Sequence, residues 1–251
     1  GLFACFFVLI PVLSSAATLA RRAAFRTSHR PFAGEAPAPS PAALRDLPDI
    51  YYIVLDEYGR QDVLADLYDL DNEPFLQALE ARGFTVARRS VTNYPFTIFA
   101  IPAVLNLEYM DPETAPQYLT LLKENTVAAR LKRAGYRYHI VASAYGPSAV
   151  SPLADRTLRY RQRGLVRDSF GEAVLAKTAL SPVSWHLLGR RVRDQAALCL
   201  FQLDTLSEAA DGDGPCFVYA HLLCPHRPFL FRRDGSLNPP ADENFVVGIL
   251  D

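Results

Sequence analysis

The sequence lacks several of the patterns that most readily announce a function. Its four cysteines, Cys5, Cys199, Cys216 and Cys224, are scattered and form no C-x-x-C pair, so neither a zinc ribbon nor a redox dithiol is encoded. Cys5 falls in the apolar leader; among the other three one disulfide is open, and the ordinary reading is small buried residues. Excess charge of either sign is missing too, with Lys+Arg 26 against Asp+Glu 27 and a net charge of −1. No basic stripe interleaved with aromatics appears, which argues against nucleic acid as a partner. There is no internal repeat, and no Asp-His pair anywhere.

Charge is also absent from residues 1–20, which are almost wholly apolar or small. As a helix they would span about 30 Å, the thickness of a bilayer core, and Pro11 is tolerable in lipid. The preferred reading is a transmembrane helix. The rival, a secretory leader, is favoured by the small residues Ser14 to Ala17 and opposed by the missing Met and missing basic n-region. The absent Met further suggests a chain that begins inside a longer protein. Arg21, Arg22, Arg26 and Arg30 follow, and the positive-inside tendency alone would put that flank in the cytoplasm. The composition then turns to Pro and Ala (Ala36-Pro37-Ala38-Pro39-Ser40-Pro41), so residues 21–48 read as a linker whose part from Pro31 to Pro48 is a stiff tether, and a soluble domain is expected over 49–251.

With 50% apolar residues in 251, that domain can bury a sizeable core. The run Asp49-Ile50-Tyr51-Tyr52-Ile53-Val54-Leu55 has the composition of a parallel strand buried on both faces. Helical spacing with a glycine stop recurs over 75–84 and 126–135, a second strand is expected over 136–143, and Cys216-Phe217-Val218-Tyr219-Ala220-His221 reads as a third. Alternation of this kind predicts an α/β layered sheet. Residues 150–210 carry no clear pattern.

Ligands in such sheets gather at the carboxyl ends of strands, which singles out Asp56 just after the first one. A turn cap at Asp56 or Glu57 is the plain alternative. Thr97, in Asn93-Tyr94-Pro95-Phe96-Thr97-Ile98-Phe99-Ala100, stands after a proline turn at a predicted helix start. There it is either a helix N-cap or a nucleophile whose anionic substrate meets the free N–H groups. His226 and Arg227 follow the third strand between Pro225 and Pro228, suited to binding an oxyanion. His221, within that strand or at its end, is the weaker candidate and reads as a core histidine.

Taken in order, "YYIVLDEYGR", "SVTNYPFTIFAIPAVLN" and "FVYAHLLCPHRPF" resemble the sulfatase-like branch of the alkaline phosphatase superfamily, related to lipoteichoic acid synthases and phosphoethanolamine transferases. The resemblance covers about residues 49–231. It implies an alkaline phosphatase-like layered sheet with helices on both faces, and a divalent metal ion (Mn, Zn, Ca or Mg) on Asp56 and Thr97. It also implies Thr97 as nucleophile, ahead of Thr92, with Asn106 as the turn residue nine positions on, and substrate contact by His226 and Arg227. The implied activity is hydrolysis or transfer of phosphate or sulfate esters, on lipid or glycan, at a bacterial cytoplasmic membrane with the domain outside the cytoplasm. Two departures stand out. Glu57 occupies a place where a small residue such as Gly is expected, and the family's later Asp-His-Gly segment is absent, as if the domain were truncated at its C-terminus. A fragment of that kind should expose an unpaired sheet edge. Two rivals stay open: an inactive sulfatase-like sensor or scaffold domain, and a glycosyltransferase-like domain using Asp69-Leu70-Asp71, a triplet that more simply starts a helix.

Overall fold

A computed structural model describes residue 20 and residues 47–111, 115–161, 181–227, 229–232 and 234–238. The predicted membrane helix (apart from Ala20) and most of the tether lie outside the described residues. No helix among the described residues is long and apolar enough to cross a membrane.

The described chain is an α/β unit. After β1 (Ile50–Leu55) come α1 (Gln61–Tyr68), α2 (Glu73–Glu80), α3 (Thr97–Asn106), α4 (Ala115–Lys123) and α5 (Thr126–Arg133). They are followed by β2 (Arg137–Val141), a 3-10 turn (Gly146–Ser148), β3 (Arg156–Leu158), α6 (Ser181–Leu206) and β4 (Cys216–Leu222). The four strands form one parallel sheet in the order β1-β4-β2-β3. The glycine stops behave as predicted: Gly83 and Gly135 adopt φ of 88° and 91° just beyond α2 and α5, a conformation open to glycine at little strain. At the head of α5, the Asn125 side chain accepts the Ala128 N–H, supplying the cap.

Side-chain alternation divides the core between the two sheet faces. On one, Tyr138, Ile140, Phe217 and Tyr219 pack with Ile101 and Leu105 of α3, Leu122 of α4 and Ala128 of α5. Phe217 stacks on Tyr138 with ring centroids 5.2 Å apart. On the other, Val141, Val218, Ala220 and Leu222 pack against Leu206, at the end of α6, and Ala209. Among the described strands β4 thus lies inside the sheet and β1 at an edge. The expectation that β1 is buried on both faces is corrected here: Tyr51 and Ile53 are 41% and 44% exposed. The reason is coverage, since α6 packs on β4 and β2 while β1 lies one strand further out.

Residues 150–210, unreadable in sequence, contribute β3 and α6. The cysteine reading is also corrected. Cys199 of α6 and Cys224, two residues past β4, form a disulfide with Cα atoms 5.8 Å apart, and Cys216 is a free, buried thiol. Burial pushes the Cys216 thiol up to about 11, with Arg137 opposing.

Candidate active site

Parallel pairing of β1 with β4 brings their carboxyl ends to one side. The ladder continues one residue past β1, where the Asp56 N–H donates to Leu222 O at 2.9 Å. The segments Asp56-Glu57-Tyr58 and Leu223-Cys224-Pro225-His226-Arg227 therefore leave the sheet side by side.

The helix that carries Thr97 is docked from within. Ile101 and Leu105 lie in the core beneath β1 and β4. Buried Asn106 donates through Nδ2 to Pro102 O and Leu121 O, and accepts through Oδ1 from the Thr126 N–H. One amide thus joins α3, α4 and α5, a structural joint rather than a reactive group. With the helix so fixed, the Thr97 hydroxyl donates to Asp56 Oδ1 at 3.3 Å, across 41 positions of sequence. The N-cap position belongs to Phe96, which is extended (φ −117°, ψ 134°), and no side chain caps the helix. Thr97 is the first helical residue, so its hydroxyl is free of capping duty and stands beside the first-turn N–H groups.

The two adjacent carboxylates diverge. Asp56, with a side chain 16% exposed, points toward Thr97, while Glu57, 46% exposed, points to the other loop. There Glu57 Oε1 lies 3.3 Å from His226 Nε2 and Glu57 Oε2 accepts the Arg227 N–H at 3.5 Å. The other ring nitrogen of His226, Nδ1, lies 2.5 Å from Arg227 O. A cleft of about 460 Å3 is lined by Asp56, Glu57, Thr92, Phe96, Thr97 and His226 among others. Arg227 does not line it. Its exposed side chain borders a separate hollow of about 220 Å3 between this loop and α6. Thr92 lines the cleft, but its hydroxyl donates to Tyr94 O at 3.0 Å.

The group undervalued in sequence is His221. Its Nδ1 is 3.2 Å from Ser148 Oγ, which also accepts from Tyr219 Oη–H at 3.1 Å. Its Nε2 is buried without a hydrogen-bond partner and lies 3.7 Å from Asp56 Oδ2, beyond bonding distance. Burial holds the imidazole below its ordinary pKa, against the opposing charge of Asp56, and so favours the neutral ring. The signal that could have found it is the strand period. Val54 pairs with His221, so Asp56, two residues on, shares its sheet face. That deduction needs the pairing, which the sequence does not print.

A divalent ion needs several ligands of suitable geometry. Among the described residues no cluster of three or more His, Cys, Asp or Glu is placed to hold one. Asp56 and the unpartnered His221 Nε2 do fit one side of such a site, with the Thr97 hydroxyl beside them. The triplet at Asp69 and Asp71 serves the turn between α1 and α2: Asp69 closes α1 in a left-handed conformation, and Asp71 Oδ1 accepts the Glu73 N–H.

Compared with known proteins, the chain matches no family model, no curated protein and no solved structure.

Proposed function

We propose that this chain belongs to a metal-dependent hydrolase or transferase of alkaline phosphatase-like layering. It acts on phosphate or sulfate esters through Thr97, and residues 1–20 anchor it in a membrane. The observation that carries the reading is the Thr97 to Asp56 hydrogen bond at the mouth of β1. A hydroxyl at a helix start, next to a carboxylate and opening on a cleft, is the arrangement a covalent phosphoryl or sulfuryl transfer requires. The ordered resemblance of the three segments supplies the reaction class by analogy.

In the first step Thr97 Oγ bonds to phosphorus or sulfur, and the bond to the leaving oxygen breaks with its electron pair. The Thr97 proton passes to Asp56 Oδ1, and the leaving alkoxide takes a proton from solvent. In the second step water, or an acceptor alcohol, attacks the same centre and releases its proton to solvent, while the bond to Thr97 Oγ breaks with its electron pair and Thr97 recovers its proton from Asp56 Oδ1. Negative charge that builds on the transferred group faces the N–H groups of the first turn of α3. Asp56 Oδ2 and His221 Nε2 would hold a divalent ion. When bound, it would lower the hydroxyl's pKa and neutralise charge on the ester. His226 would meet the substrate's charged oxygens at the cleft wall.

Thr97→Ala in the full-length protein should lose ester cleavage and the covalent phospho- or sulfo-threonine found by mass spectrometry. Its stability should fall by no more than about 1 kcal/mol, since the hydroxyl caps nothing. Cleavage should sediment with membranes. Retained turnover in the variant would show that another residue is the nucleophile. A second reading, a sensor or scaffold domain without catalysis, is favoured by the lack of a three-ligand cluster among the described residues. It predicts less than one equivalent of divalent metal on the full-length protein, and no dependence of that metal on Asp56.

A further inference from the structure

We infer that Glu57 is a positioning residue that clamps His226 onto the wall of the ester cleft, an inference that rests on the phosphate- or sulfate-ester reading of Thr97. Three observations converge on it. Glu57 has φ of 58°, in the left-handed region where a non-glycine residue is strained and where Gly would fit without cost. Its carboxylate nevertheless reaches across to the other loop and engages it twice, at His226 Nε2 (3.3 Å) and at the Arg227 N–H (3.5 Å). The pair is nearly half exposed, with side chains at 46% and 44%, so it adds little to stability. A strained backbone and a half-exposed contact that adds little to stability together point to a use other than holding the fold.

The geometry says what that use is. His226 Nε2 lies 3.3 Å from Glu57 Oε1 and Nδ1 lies 2.5 Å from Arg227 O, so an acceptor stands beside each ring nitrogen and the ring is constrained from two sides. The Arg227 N–H contact fixes the backbone of the same loop, and Cys224, two residues earlier, is tethered to α6 through Cys199. His226 is thereby pinned from both sides, within the same cleft as Thr97. Asp56, its neighbour in sequence, is left to Thr97 and His221.

The test compares Glu57→Gly, Glu57→Gln, His226→Asn and the Glu57→Gly/His226→Asn double variant in the full-length protein, with p-nitrophenyl phosphate and p-nitrophenyl sulfate as probes. Glu57→Gly should raise KM by ~10-fold or more, as loss of an outer partner of a site residue does, and leave kcat within a few-fold. Its melting temperature should stay level or rise, because the strain is relieved. Glu57→Gln, which can still accept from Nε2–H, should recover much of the loss. The double variant should be no worse than His226→Asn. An unchanged KM in Glu57→Gly, or fully additive losses, would overturn the clamp. Thr97→Ala probes the underlying reading separately, since it should abolish turnover in either background. Should the wild type turn over neither probe, inorganic phosphate binding by calorimetry decides. Weaker binding in Glu57→Gly upholds the clamp while the nucleophile assignment falls, and equal or absent binding sinks the clamp as well.

Discussion

Strands β1 and β4 look alike in sequence and differ in the fold. IYYIVL and CFVYAHL are both short, largely apolar runs rich in aromatic residues. In β4 all seven residues are buried, whereas β1 alternates and leaves Tyr51 and Ile53 exposed. The difference is one of neighbours. Among the described residues β4 has a strand on each side and helices over both faces, while β1 pairs on one side and α6 packs on β4 and β2. Apolar composition therefore reports that a strand can be buried, and position in the sheet decides whether it is. The candidate chemistry sits where the two meet, with Asp56 from the open strand and His221 from the closed one.

The sharpest way to break this comparison is in the closed strand. Phe217 is 1% exposed and stacked on Tyr138, so Phe217→Ala should remove about 3–5 kcal/mol of stability in urea unfolding, through lost transfer energy and the cavity left behind. A loss under about 1 kcal/mol would mean that the centre of the sheet is not packed as described.

Much of the fold was legible, for reasons that residues make plain. Gly83 and Gly135 stop helices because only glycine takes their φ cheaply, and β2 and β4 were visible as apolar runs. The edge position of β1 was not legible, because it depends on which strand pairs with which. Nor was α6, a 26-residue helix that opens in a stretch without a clean apolar stripe. Of the site, Asp56 and Thr97 were found by their places at a strand end and a helix start, and the fold brings them together. His226 reaches the cleft and Arg227 does not. His221 was discounted as a core histidine, and it is one by its Ser148 contact. Its second nitrogen faces Asp56 only because β4 lies beside β1. The Cys199 to Cys224 bridge escaped because spacing alone cannot choose a partner.

A smaller effect follows from the imidazole enclosed in β4. Burial lowers the pKa of His221 in the folded state, while the unfolded chain titrates near ~6.5. A depressed folded pKa means that the unfolded state binds the proton more readily. The stability tied to the neutral ring is thus fully present above that value and drains away as pH falls below it. Unfolding free energies measured between neutral and mildly acidic pH should decline. His221→Gln should flatten that part of the curve, whatever its effect at neutral pH. A wild-type curve that is flat there, or a variant with the same slope, would remove His221 as the cause.

The smallest effect should come from the outer face of β1. Ile53 is 44% exposed and pairs with Ala220, so Ile53→Thr keeps a β-branched residue on the strand and removes apolar surface that is already half in water. Its effect on stability should stay within about 0.5 kcal/mol. The same hydroxyl placed at Val218, which is 0% exposed one strand away, should cost about 1–3 kcal/mol, because it enters an apolar layer with α6 packed over it. An exposed apolar edge strand also invites pairing with other chains, so Ile53→Thr should reduce concentration-dependent self-association in sedimentation experiments. Were Ile53→Thr as damaging as Val218→Thr, the outer face of β1 would have to be covered in the folded protein, and the contrast between the open and closed strands would collapse.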